Sequence, residues 1–234
     1  MTDPMTHVFI DFDGTISQKD VIDAILEAFA GSEWIDIEKD WVAGKIGSRE
    51  CLARQCHYVR ASPDAVLDLV DGIDLDPGFA SLVDVCKAHH VPLSIISDGF
   101  EPFIKRLLSR VSLGRVPVYA NTCRLIDAGR LEPAFPHADT ACTHGCATCK
   151  PLLMQRLAPA SHHKIFIGDG LSDRFAAEAA DTIFAKSRLA EYCADRSIPY
   201  LYYERLADVS VRLADVFEHI EPSRVHQPIL VEST

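Results

Sequence analysis

The chain has 234 residues, 48% of them hydrophobic, and a formal net charge of −11 at neutral pH. That length holds one α/β core plus a small insertion, and the apolar share is that of a globular chain rather than an acidic disordered one. The acidic balance disfavours nucleic acid and anionic membrane partners. No apolar run reaches transmembrane length, the start Met1-Thr2-Asp3-Pro4 has no leader pattern, and eight cysteines then fit reduced thiols in the cytoplasm.

The first element in chain order is the apolar run Val8-Phe9-Ile10, a buried strand by its pattern, followed by Asp11-Phe12-Asp13-Gly14-Thr15. Carboxylates spaced i, i+2 leave the C-terminal edge of that strand, where open α/β sheets place their ligands. One can attack phosphorus and the other can handle the leaving-group proton, while Gly14 lets the chain turn sharply. Taken alone, the pentapeptide also fits a simple turn after a strand.

From Ser17 to about Pro77 the apolar spacing is helical. Val21, Ile22, Ile25, Leu26 and Phe29 share one face, followed by Trp34, Ile37 and Trp41, with the two tryptophans read as packing. Ser48 begins a further helix through Leu52, and Ser62-Pro63 begins another through Val66, Leu67 and Val70. No strand signal interrupts this stretch, which predicts a helical bundle inserted after the first strand.

The pattern then alternates. It predicts a helix over 79–90, a strand over 92–97, a helix over 101–110 and a strand over 116–120. A hairpin is expected next, 122–126 with 130–133 about Asp127-Ala128-Gly129. A helix over 151–157, a strand over 164–168 and a helix over 172–179 follow. The series closes with a strand over 182–185, a helix over 188–196, a strand over 199–203 and a helix over 206–219. The expected fold class is α/β, a Rossmann-like parallel sheet core with a small helical-bundle cap. Residues 1–16 and 77–221 form the expected core, 17–76 the cap and 222–234 a tail.

Three later segments carry further chemistry. Ser97 can donate to a phosphate oxygen, and the backbone around Asp98 and Gly99 opens a helix whose N-terminus favours anions. Lys150, before Pro151 at the start of a helix, supplies a cation for a nucleophile and a phosphoryl group. Asp169 and Asp173 gather hard oxygens of the kind Mg²⁺ binds.

These four segments, in this order, resemble the haloacid dehalogenase-like superfamily of aspartate-nucleophile phosphohydrolases, over residues 7 to about 205. The resemblance implies Asp11 as nucleophile, Asp13 as general acid/base, and Ser97 and Lys150 as phosphoryl ligands. It implies a Mg²⁺ site made by Asp11, the Asp13 carbonyl, Asp169 and Asp173. A helical cap in this position is similar to the branch holding phosphoserine phosphatases and methionine-salvage phosphatases. The implied activity is a phosphomonoesterase of a small phosphorylated metabolite, with a methionine-salvage enediol phosphate ahead of phosphoserine and of phosphocholine- or phosphoethanolamine-type esters. A non-catalytic phosphate-binding module is the alternative of another class. Candidate specificity residues are Asp20, Arg54 and Gln55, with Gln55 aligned where phosphoserine phosphatases carry an arginine. Ser97-Asp98-Gly99 departs from the branch's usual Ser-Gly-Gly, and Asp98 brings negative charge beside the phosphate site. A homodimer is an open expectation.

The remaining cluster is Cys142, His144, Cys146 and Cys149, just before Lys150. Its spacing is compatible with reduced thiols shaping the approach to Lys150 or with a structural Zn²⁺ site.

Overall fold

The computed structural model describes residues 6–126 and 129–219. Asp127 and Ala128 of the expected hairpin turn, and the expected tail, lie outside the described residues. Among the described residues seven strands form one sheet: β1 (Thr6–Ile10), β2 (Leu93–Phe100), β3 (Val118–Ile126), β4 (Arg130–Ala134), β5 (His163–Gly168), β6 (Thr182–Ala185) and β7 (Leu201–Tyr202). Their spatial order is β4-β3-β2-β1-β5-β6-β7. β1 is parallel to both neighbours, with Val8 opposite Leu93 on one side and Ile165 on the other. The sheet therefore grows in opposite directions from β1, and a crevice forms at the C-terminal ends of β1, β2 and β5. β4 pairs antiparallel with β3.

Strand alternation sends neighbouring side chains to opposite faces. Val8, Ile10, Ile95, Ile165 and Ile167 join one buried cluster, whereas Phe9, Ile96 and Phe166 join another. Burial on both faces explains why these strands read as continuous apolar runs. The first face is covered by α5 (Gly78–Ala88), α6 (Glu101–Arg110) and α10 (Leu206–His219), through Leu82, Leu107 and Leu213 among others. The second is covered by α7 (Lys150–Leu157), α8 (Arg174–Glu178) and α9 (Ser187–Asp195), through Met154, Ala177 and Leu189.

Four helices stand between β1 and α5: α1 (Val21–Phe29), α2 (Glu33–Val42), α3 (Ser48–Cys56) and α4 (Pro63–Asp71). Asp20 caps α1 by accepting from the Ile22 and Asp23 amides, and Ser62 caps α4 by accepting from Ala65. Ile25, Leu26, Val66 and Val70 bury their side chains in the cluster that also holds Phe12 and Ile16. An antiparallel bridge between Ser17 and Leu75 ties the outgoing chain to the returning one, flanked by the Gln18 amide on the Asp74 carbonyl and the Asp76 amide on the Ile16 carbonyl.

Two segments differ from expectation. The separate strands at 116–120 and 122–126 are one strand, β3, which pairs with β2 through Tyr119, shifts register so that Phe100 meets Asn121, and then turns to pair with β4. The helix expected over 172–179 starts as a 3-10 turn at Leu171–Asp173 and becomes α-helical only at Arg174. Asp173 Oδ2 accepts from the Asp169 and Gly170 amides, which tightens that loop. All eight cysteines are free thiols. Among the described residues no helix is long and apolar enough to cross a membrane.

Candidate active site

The floor of the crevice begins where β1 ends. The Asp11 amide still donates to the Ile167 carbonyl at 2.9 Å, so Asp11 continues the ladder. The chain then folds back as the Phe12 carbonyl accepts from the Ile16 and Ser17 amides. Gly14 makes this turn at φ +71°, and a Cβ there would lie 2.4 Å from Asp169 Oδ2. Glycine is thus required both by conformation and by the approach of a carboxylate.

Asp11 is 4% exposed, and its Oδ1 lies 2.9 Å from Lys150 Nζ. Lys150, at the first turn of α7 and 1% exposed, is also paired with the fully buried Asp173. Asp169 accepts from the Thr15 hydroxyl at 2.8 Å. Carboxylate oxygens of Asp11, Asp169 and Asp173 lie within 4.8 Å of one another. Burial, then the charge of Asp173, pushes the Asp11 carboxyl well above the carboxylate range, with Lys150 opposing. The same two causes hold Asp169 at about 6. Burial opposes charge on Lys150, but Asp11 and Asp173 outweigh it and keep the ammonium protonated.

This donor set fits a divalent cation. Three carboxylates face one ammonium, so two negative charges stay uncompensated when all are ionised. Asp11 Oδ1 is buried and, its ion pair with Lys150 aside, has no hydrogen-bond partner. Hard oxygens with no sulfur or imidazole among them suit Mg²⁺ rather than a softer metal.

Asp13 occupies the other side of the floor. Its Oδ1 accepts from the Val21 amide at 2.9 Å and its Oδ2 from the Ser97 hydroxyl at 3.3 Å. Burial first and the charge of Asp20 second push its carboxyl well up. Ser97 is fully buried and accepts from the Gly99 amide at 2.9 Å, so that amide is turned inward. Asp98 also ties distant segments together. Its Oδ1 accepts from the Thr148 amide at 2.8 Å, Ser48 of α3 hydrogen-bonds the same carboxylate, and its carbonyl accepts from Asn121. Asp98 therefore joins the end of β2 to the Lys150 loop and to the helices above.

Over this floor lies a cavity of about 310 Å³, within the range of small-molecule sites. Asp11, Asp13, Ser97, Asp98, Gly99 and Asp169 line it from below. Ile22, Trp41, Leu52 and Gln55 line it from the helices. Asp20, solvent-accessible yet enclosed by the cleft walls, and Asp23 are there too. Arg54 is not: it is exposed and pairs with Glu50 at 3.4 Å. One helical step turns a side chain by about 100°, so only Gln55 of this neighbouring pair faces inward. Trp34 packs against the core, but Trp41 lines the cavity, correcting the packing role expected for it. Sequence reasoning missed Glu38 and Arg188. Glu38 follows the buried Ile37 on a mostly polar helix, and Arg188 follows the strand end of β6; neither carries a motif.

The cysteine loop is a connector. The Gly145 carbonyl accepts from the Arg49 amide, and the Ala147 amide donates to Ser48 Oγ, so the loop before Lys150 rests on the start of α3. Burial works against the Cys142 thiolate, but the Cys146 and His144 amides bring its pKa down. Burial pushes Cys146 to about 12. The structural Zn²⁺ alternative finds no support in this arrangement. Among the described residues the only group of three or more potential ligands gathered within 4.8 Å is the acidic trio, and the His144 ring stacks on Phe175 at 3.7 Å.

A mostly parallel sheet with a buried aspartate at its central strand end, a buried lysine against it and an acidic trio beside it is an arrangement suited to phosphoryl transfer. A family model described as haloacid dehalogenase-like hydrolase matches residues 8–178, and the chain belongs to that family. It is similar to "2-hydroxy-3-keto-5-methylthiopentenyl-1-phosphate phosphatase" of Brevibacillus brevis (32% identical over 216 residues, 91% of this chain and 97% of the relative). The same-named protein of Geobacillus thermodenitrificans is 30% identical over 205 residues, covering 86% and 92%. The fold is also that of "Substrate bound phosphoserine phosphatase complex structure" (TM-score 0.68, 18% identity, 94% of this chain and 100% of that one). The chain is a phosphoric monoester hydrolase.

Proposed function

We propose that the chain is a Mg²⁺-dependent phosphomonoesterase that forms an aspartyl-phosphate on Asp11, with residues 17–76 as the cap over the site. The observation that carries this reading is the buried Asp11–Lys150 pair, at 2.9 Å, set against Asp169 and Asp173. An Asp11 oxygen attacks phosphorus and the bond to the leaving oxygen breaks as Asp13 gives that oxygen its proton. The high Asp13 pKa keeps this proton available. Asp13, now ionised, takes a proton from water, and the resulting hydroxide attacks the phosphorus. Breaking the P–O bond to Asp11 restores its carboxylate and releases inorganic phosphate. Lys150 balances charge on the nucleophile and the transferring group. Asp11, the Asp13 carbonyl, Asp169 and Asp173 would hold Mg²⁺, which supplies further charge neutralisation when bound.

The preferred substrate is a methionine-salvage-type enediol phosphate, supported by the names of the relatives and by the apolar wall of Ile22, Trp41 and Leu52. Phosphoserine is disfavoured because its carboxylate finds Gln55, not a cation, on the buried cap face. The test is phosphate release from the enediol phosphate, phosphoserine and phosphocholine with added Mg²⁺. The reading expects the enediol phosphate to lead in kcat/KM; a preference for phosphoserine of about tenfold or more overturns it.

A further inference from the structure

The cavity is lined on its helical side by an acid that no motif contains. Glu38 of α2 lines the cavity, and two buried side chains of α3 fix it: Gln55 Nε2 donates to Glu38 Oε2 at 3.0 Å, and Cys51 Sγ donates to the same oxygen at 3.7 Å. Gln55 and Cys51 are 2% and 3% exposed, so Glu38 is held as an acceptor in one orientation. Both donors converge on Oε2; the second oxygen is the one a ligand hydroxyl would meet. The neighbouring acids are committed elsewhere. Asp20 Oδ1 caps α1, and Asp23, with its pKa pushed to about 8 by burial and by Asp20, carries its proton at neutral pH. Among the residues lining the cavity the cations are Lys19 and Arg188, both at exposed positions, and the Arg188 charge favours the ionised form of Glu38.

We infer that Glu38, clamped by Gln55 and Cys51, is a specificity-determining residue that accepts a hydrogen bond from a hydroxyl of an uncharged leaving group and rejects leaving groups bearing a carboxylate. A hydroxyl donating to an oriented carboxylate makes a charge-assisted bond, whereas a second carboxylate there is repelled and left without its own donors. This rests on the phosphatase reading above and refines it by naming the chemistry of the alcohol.

The test uses matched esters, glycerol 3-phosphate and 3-phosphoglycerate, which differ by a hydroxymethyl group against a carboxylate. For the wild-type protein with Mg²⁺, kcat/KM should favour glycerol 3-phosphate by roughly tenfold or more, and Glu38→Gln should shrink that ratio at least about fivefold. Glutamine keeps an acceptor for Gln55 and so preserves the clamp. The same two esters are titrated calorimetrically into Asp11→Asn and Asp11→Asn/Glu38→Gln proteins, where the affinity ratio should move in parallel. Equal or absent binding of the two esters, or a ratio that Glu38→Gln leaves unchanged, overturns the role of Glu38. A stronger preference for phosphoethanolamine that is lost with Glu38→Gln overturns the hydroxyl assignment in favour of a cation. No turnover of any ester, with the calorimetric preference and its response to Glu38→Gln intact, counts against the phosphatase reading alone and supports the Glu38 role.

Discussion

Asp13 Oδ1 accepts a hydrogen bond from the Val21 amide at 2.9 Å, so the proposed acid/base group also anchors the first turn of α1. With Asp20 capping the same turn, two carboxylates sit at the positive end of one helix. The position of α1 over the site is thereby coupled to the chemistry beneath it.

Lys150→Met should be among the most damaging single changes. It leaves Asp11 and Asp173 buried without their ammonium, a loss of about 3–5 kcal/mol for a broken buried pair. Denaturant unfolding should show that loss, and phosphate release should fall to background. A variant of near wild-type stability would contradict the pairing described.

Asp98→Ala should act on every substrate alike. Its carboxylate holds Thr148 and Ser48, and losing a hydrogen bond to a charged group costs roughly 1.5–3 kcal/mol. The expected outcome is a roughly ten- to hundredfold drop in kcat/KM that is similar for neutral and cationic esters. A loss confined to cationic esters would return Asp98 to the head-group role its sequence position suggests.

Asp23 sets a pH trend in stability. Its folded pKa of about 8 lies above the ordinary value of 3.8, so its contribution is fully present below pH 4 and is lost as pH rises towards 8. Asp23→Asn removes this loss, and the variant should gain stability relative to wild type as pH rises from 4 to 8, read from thermal midpoints across that range. A constant offset at all pH values would show that Asp23 titrates normally.

Gly14→Ala combines a left-handed backbone with a contact at 2.4 Å to Asp169 Oδ2. Destabilisation of roughly 1 kcal/mol or more is expected, together with a raised Mg²⁺ requirement as Asp169 is displaced. Titrating activity against Mg²⁺ checks this; an unchanged half-saturation would contradict it.

Much of the architecture was legible because buried parallel strands are apolar on both faces and end in acids, hydroxyls and glycines, which makes each strand end conspicuous. The helices between Ser17 and Pro77 were likewise legible from their spacing. What was not legible depends on side-chain direction and on contacts between distant segments. Spacing names Arg54 and Gln55 as neighbours, and only the rotation of α3 against α2 decides that Gln55 faces Glu38. Asp98 lines the floor as its place in the sequence suggests, but its bond to Thr148, fifty residues on, has no local signal. The cysteine spacing suggests a metal, but the loop spends its backbone on α3 and its histidine on Phe175. β3 runs on past residue 120 because its first part pairs with β2 and its second with β4, and no local propensity encodes that.

The central claim, that phosphate passes through Asp11, is tested most directly by acid-quenching the working enzyme during turnover of a phosphate ester and mapping the modified peptide by mass spectrometry. One phosphoryl group on Asp11 is expected, absent from Asp11→Asn, whose turnover should fall to background while its fold is retained. A phosphoryl group on another residue, or near-wild-type hydrolysis by Asp11→Asn, would contradict it.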